Sequence, residues 1–182
     1  MGENWIAANT AFFSRILKSC DKVQSVTEIG PNIGLNLIAL RNLLPEADLT
    51  GIEISESAAE KLKSNVSGVH AIHSSVLDWQ PETQSDLVFT KGVLIHINPD
   101  ELELVYEKMV TASSRYILTA EYYNPVPQMI PYRGHDNRLF KRDFAGEILD
   151  RFPELKLRDY GFVWRRDPNF QQDDLTWFLL EK

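Results

Sequence analysis

Glu28-Ile29-Gly30-Pro31-Asn32-Ile33-Gly34 is the stretch whose residue types and spacing carry the clearest chemistry. An apolar approach, Val23 to Val26, precedes it, and an apolar helical pattern, Leu35 to Leu44, follows. Glycine at 30 permits a tight turn with unusual backbone angles. Glycine at 34 permits a helix to pack close to a strand and a ligand to approach the backbone. The Glu28 carboxylate would attract a cationic group, an amine or a sulfonium, and would repel a pyrophosphate. One strand later Glu53 is again an acid at a strand end, suited to accept two hydrogen bonds from a ribose diol. Asn32 within the loop and Ile54 beside Glu53 belong to the same set. After the third strand, Ser74-Ser75-Val76 places a hydroxyl acceptor at Ser75 and a backbone donor at Val76 where an adenine edge would lie. The dinucleotide fingerprint G-x-G-x-x-G is absent, because asparagine and isoleucine occupy positions 32 and 33. The set therefore suits S-adenosylmethionine better than a nicotinamide cofactor.

The acceptor side is read from the other half of the chain. Lys91 is expected to face the methionine end of the cofactor through its backbone. His96, in Leu94-Ile95-His96-Ile97, follows the fourth strand, close to where a transferred methyl group would point. An imidazole titrates near neutrality and suits a general base or an acceptor-orienting group. The alternative is a histidine that caps or packs beside Asn98-Pro99. Tyr122 and Tyr123 lie on the same rim and would stack on an acceptor, seal the pocket, or pack beneath a loop. Arg133, His135, Arg138, Lys141 and Arg142 form a basic cluster in an otherwise acidic chain. Arginine's planar fork suits a carboxylate or a phosphate. The alternative is a solvated loop with ion pairs to Asp136 and Asp143. No compact metal-ligand motif is present, so no metal is expected.

The elements that must position these groups alternate. A helix over 4–19 precedes strands at Ser25–Ile29, Asp48–Ile54, Val69–Ser74, Asp86–Thr90 and Arg115–Glu121. Helices at Asn36–Leu44, Ser57–Asn65 and Glu101–Ala112 lie between them. Residues 122–142 read as a long acceptor-side loop. A helix over Asp143–Phe152 and two strands, Leu155–Trp164 and Leu175–Glu181, close the chain. Alternation implies a parallel sheet with helices on both faces. The expected fold is α/β, a Rossmann-like sandwich on a mostly parallel seven-stranded sheet ending in an antiparallel strand pair, in a single domain over 1–182. Tyr160, Trp164 and Trp177 are expected to build that closing hairpin and the core.

The whole 182-residue chain is enough for one full core. A net charge of −7 argues against nucleic acid or an anionic membrane as the main partner. One cysteine, Cys20, excludes an internal disulfide and suggests a reducing cytoplasm. Neither a membrane span nor a signal peptide is evident. Nothing in the sequence indicates an oligomeric state.

Beyond these residues the chain resembles the class I S-adenosylmethionine-dependent methyltransferases. More narrowly, it resembles the small family called pseudaminic acid biosynthesis-associated methylases. EIGPNIGLNLIAL (28–40), GIEIS (51–55), DLVFTKGVLIHINPDEL (86–102) and EYYNPVPQMIPYRGHDNRLFKRDFAGE (121–147) carry the resemblance. It continues through DYGFVWRRD (159–167) and DDLTWFLLEK (173–182). The resemblance implies a methyl transfer to a small anionic acceptor in a setting of nonulosonic acid sugars or their nucleotide-activated forms. The amino end departs from the family pattern G-x-x-Y-x-x-R-N. Gly2, Trp5 and Asn9 fit loosely, and Ala8 stands in place of arginine. A shortened or altered start is therefore expected. The alternative function is an S-adenosylmethionine-binding module without catalysis of its own, or one active only in a complex.

Overall fold

The computed structural model describes the backbone of residues 2–132 and 135–182, and among these the side chains of all but 2–3, 132 and 135–138. The chain runs α1 (Gly2–Leu17), β1 (Ser25–Ile29), α2 (Leu35–Leu43), β2 (Asp48–Glu53), α3 (Glu56–Asn65), β3 (Val69–His73) and β4 (Ser85–Lys91). It continues through α4 (Leu102–Ala112), β5 (Ser113–Glu121), β6 (Gln128–Tyr132), β7 (His135–Lys141), α5 (Phe144–Arg151), β8 (Lys156–Val163) and β9 (Leu175–Glu181).

Seven strands form one sheet in the order β3-β2-β1-β4-β5-β9-β8. The five from β3 to β5 are parallel, and β9 runs antiparallel to both β5 and β8. The order reverses between β1 and β4, the switch point where open α/β sheets bind ligands beyond their strands' carboxyl ends. Glu28 and Lys91 flank that point from the two sides.

Strand alternation divides the core into two layers. Phe89, Leu118, Trp177 and Leu179 face Phe12, Phe13 and Ile16 of α1 and Leu37 and Leu40 of α2. Their chain neighbours Val88, Ile117 and Leu180 face Val105 and Met109 of α4 and Ile148 of α5. Strands buried on both faces read as continuous apolar runs, as Leu87-Val88-Phe89 and Ile117-Leu118 do. Each fully buried leucine or phenylalanine contributes about 1.5–3 kcal/mol.

Two expectations are corrected. Residues 122–142 are not one long loop, because β6 and β7 pair as a separate antiparallel hairpin with Met129 opposite Phe140 and Ile130 opposite Leu139. The prolines that suggested a loop are tolerated in a two-stranded ribbon, where each strand has a free edge. Tyr160 and Trp164 do not enter the core. They are 62% and 52% exposed, whereas Trp177 is fully buried. β8 is an edge strand of the sheet.

Candidate functional site

β1 delivers Glu28 to the switch point with its side chain fully buried. Its Oε1 accepts from Asn36 Nδ2 at 2.6 Å, and its Oε2 has no hydrogen-bond partner. Burial pushes the carboxyl up to about 8, against the Asn36 hydrogen bond and the Lys91 charge. A buried acceptor left unpaired is costly, so this oxygen is matched to a donor that the chain itself does not supply. A ligand with a cationic end fits it.

The glycines act as the spacing suggested, against particular neighbours. Gly30 has φ 71°, and its N–H donates to Ile52 O at 2.8 Å. A Cβ there would sit 2.6 Å from Val93 Cγ2. Gly34 caps α2 at φ 91°, and a Cβ would meet Leu62 Cδ1 at 2.6 Å and Val66 Cγ2 at 2.9 Å. Asn32 between them is left-handed at φ 52°, a conformation asparagine tolerates. Its N–H donates to Glu53 Oε2 at 2.8 Å, and Ser55 N–H donates to Glu53 Oε1 at 2.9 Å. Glu53 thus braces the first loop from the end of β2. A carboxylate has about four lone-pair sites, so two remain for ligand hydroxyls. Ile54 is 70% exposed and offers an apolar face beside them.

Ser75 sits in a turn: its Oγ accepts from Leu77 N at 3.2 Å, and its carbonyl accepts from Asp78 and Trp79. Val76 packs in the core under that turn. Lys91 presents more than its backbone. Its largely buried Nζ donates to Asn9 Oδ1 at 3.3 Å and lies 5.7 Å from the Phe12 ring centre. Burial lowers its pKa, and Glu28, Asp173 and Glu121 oppose the shift. Gln172 Nε2 donates to Ala8 O at 2.9 Å, so α1 and the β8–β9 loop meet above this point.

His96 closes a short 3-10 turn, Leu94–His96, and is exposed at the rim. The Tyr122 ring lies 5.5 Å from Lys141 Nζ, and Tyr123 is 40% exposed with its ring 5.9 Å from that of Phe178. Arg142 is paired with Glu147 at 2.7 Å, and Tyr106 donates to the same carboxylate. Arg133 lies outside the described residues, as do the side chains of His135 and Arg138. No group of three or more His, Cys, Asp or Glu among the described residues is arranged to hold a metal ion. No helix among them is long and apolar enough to cross a membrane.

The sequence reading missed Asn36, Asn9 and Glu121 as site residues. Asn36 carried a usable signal, a polar residue in an apolar helix's first turn immediately after the loop. Asn9 fitted the family's amino-terminal pattern without indicating Lys91, and the partners of Glu121 come from a remote turn.

Residues 26–114 match a family model described as a methyltransferase domain. Curated relatives include trans-aconitate 2-methyltransferases. One, from Escherichia coli O7:K1, is 25% identical over 56% of this chain and 40% of its own length. Another, from Shigella flexneri serotype 5b, is 29% identical over 46% of this chain and 33% of its own length. The matched region thus spans less than half of these relatives. Among solved structures, coclaurine N-methyltransferase bound to N-methylheliamine and S-adenosylhomocysteine aligns with a TM-score of 0.73 at 10% identity, over 96% of this chain and 72% of that one. Magnesium protoporphyrin IX methyltransferase from Synechocystis PCC 6803, with bound S-adenosylmethionine, aligns at 0.68 and 14% identity, over 100% and 80%. At such identities the likeness is one of fold. The likeness of fold covers nearly the whole chain, and the methyltransferase-domain match covers residues 26–114 within it.

Proposed function

We propose that this protein is an S-adenosylmethionine-dependent methyltransferase acting on a small anionic acceptor, with a nonulosonic sugar acid or its nucleotide-activated form as the leading class. The observation that carries the donor half is Glu28, buried at the switch point with one carboxylate oxygen unpartnered. That oxygen would receive the cofactor's ammonium. Glu53 would receive the ribose hydroxyls while bracing Asn32, and Ile54 would lie against the adenine. The bound cofactor supplies an electrophilic methyl group on sulfur. The chain's task is then to align an acceptor with it and to exclude water. His96 at the rim would orient or deprotonate an acceptor hydroxyl. Arg133, with His135 and Lys141, would attract its negative group. The acceptor class rests on the resemblance over 86–102 and 121–147, and the trans-aconitate methyltransferases are similar proteins whose named acceptor is also a carboxylate.

Incubation with S-adenosylmethionine and candidate sugar acids, followed by mass spectrometry, should show the gain of one methylene on the acceptor. His96→Ala should keep S-adenosylhomocysteine affinity and lower turnover. Wild-type turnover in that variant would make His96 structural. A second reading, a cofactor-binding module without its own catalysis, is favoured by Ala8, which is buried where the family pattern has arginine. Cofactor binding without methylation of any acceptor in a broad panel would select it.

A further inference from the structure

Glu121 ends β5 with its side chain only 2% exposed. Its Oε1 accepts from the backbone N–H of Val93 at 3.1 Å and of Leu94 at 3.2 Å, and its Oε2 accepts from Ile95 at 3.5 Å. Gly92, left-handed at φ 69°, donates its N–H to Ala120 O at 2.9 Å. Two adjacent residues of β5 therefore hold every amide from 92 to 95. A buried carboxyl that accepts from three successive backbone amides of a neighbouring loop is a geometric device, because those amides have no regular helix or strand to satisfy them.

The turn so held reaches both halves of the proposed site. Val93 packs into the space that Gly30 leaves by lacking a Cβ. His96 ends the same turn. On its other side Glu121 lines a small cavity with Tyr123, Arg142 and Phe144.

We propose that Glu121 is a positioning residue whose carboxyl group sets the 92–96 turn, closing Val93 on the donor loop and presenting His96 at the acceptor rim. The proposal rests on the methyl-donor reading of the Glu28 loop.

Calorimetry with S-adenosylhomocysteine and amide hydrogen exchange on the full chain test it. Glu121→Gln should bind S-adenosylhomocysteine roughly tenfold more weakly, and its Val93, Leu94 and Ile95 amides should exchange roughly tenfold faster. Glu121→Asp keeps the charge with a shorter reach and should fall between the variant and wild type. Faster exchange with unchanged affinity would make Glu121 a mere brace and overturn the proposal. Unchanged exchange would overturn it too. If Glu121→Gln does not fold, Glu121→Asp is judged by the same two measurements. Wild-type protein that binds no S-adenosylhomocysteine overturns the donor reading, and this proposal with it; the wild-type titration separates that failure from a failure of Glu121 alone.

Discussion

Glu28 is held in a state that a cation would change. Burial favours its neutral form up to about pH 8, while a cofactor ammonium requires the carboxylate. Binding at pH 7 should therefore expel a proton. The calorimetric enthalpy for S-adenosylhomocysteine should then vary with the ionisation heat of the buffer, and Glu28→Gln should flatten that dependence. The variant should also lose about 1.5–3 kcal/mol of affinity, the scale of a hydrogen bond to a charged group. A buffer-independent enthalpy in the wild type would remove Glu28 from the cofactor's cationic end. Glu28, Gly30, Gly34 and Glu53 were legible in the sequence because one loop and two strand ends impose their types and spacing. Asn9 was not, because its partner Lys91 lies on β4, remote in sequence from α1.

At the scale of elements, the donor loop is shaped by what packs behind it. Gly34 is required less by a ligand than by α3, whose Leu62 and Val66 fill the space a side chain would need. Gly34→Ala should lower stability by about 1–3 kcal/mol, combining left-handed strain with the clash. A chemical-denaturation midpoint equal to wild type would show that α3 yields freely. α1 has a comparable role in the same layer. Asn9 holds Lys91 and Ala8 receives Gln172, so the first helix links β4 to the β8–β9 loop above Glu28. The β6–β7 hairpin was illegible in the sequence because its prolines and glycine are common to loops and ribbons. Only the pairing of Met129 with Phe140 distinguishes the two.

Among the described residues, two buried carboxyls, Glu28 and Glu121, are raised to about 8 and about 7. In the unfolded chain a glutamate titrates near 4.3. Between about pH 5 and 7.5 the folded state therefore binds more protons than the unfolded state. These two groups therefore contribute stability that declines as pH rises through that window, each by at most about 1.4 kcal/mol per pH unit. Thermal midpoints of the ligand-free protein should decline from pH 5 to 7.5, and Glu28→Gln should flatten the slope. A midpoint that rises across this range would contradict the assignment.

The sequence alone determined the α/β alternation, the antiparallel closing strands, the donor loop and the acid one strand later. These are local or periodic features, set by steric and hydrogen-bonding rules that act within a few residues. Tertiary structure alone decided that Glu28 has an unpartnered oxygen, that Lys91 turns its amine to α1, that Arg142 is spent on Glu147, and that Glu121 holds the β4 turn. Each depends on which remote group fills the remaining hydrogen-bonding capacity of a buried side chain. That choice is made only when the two faces of the sheet are packed.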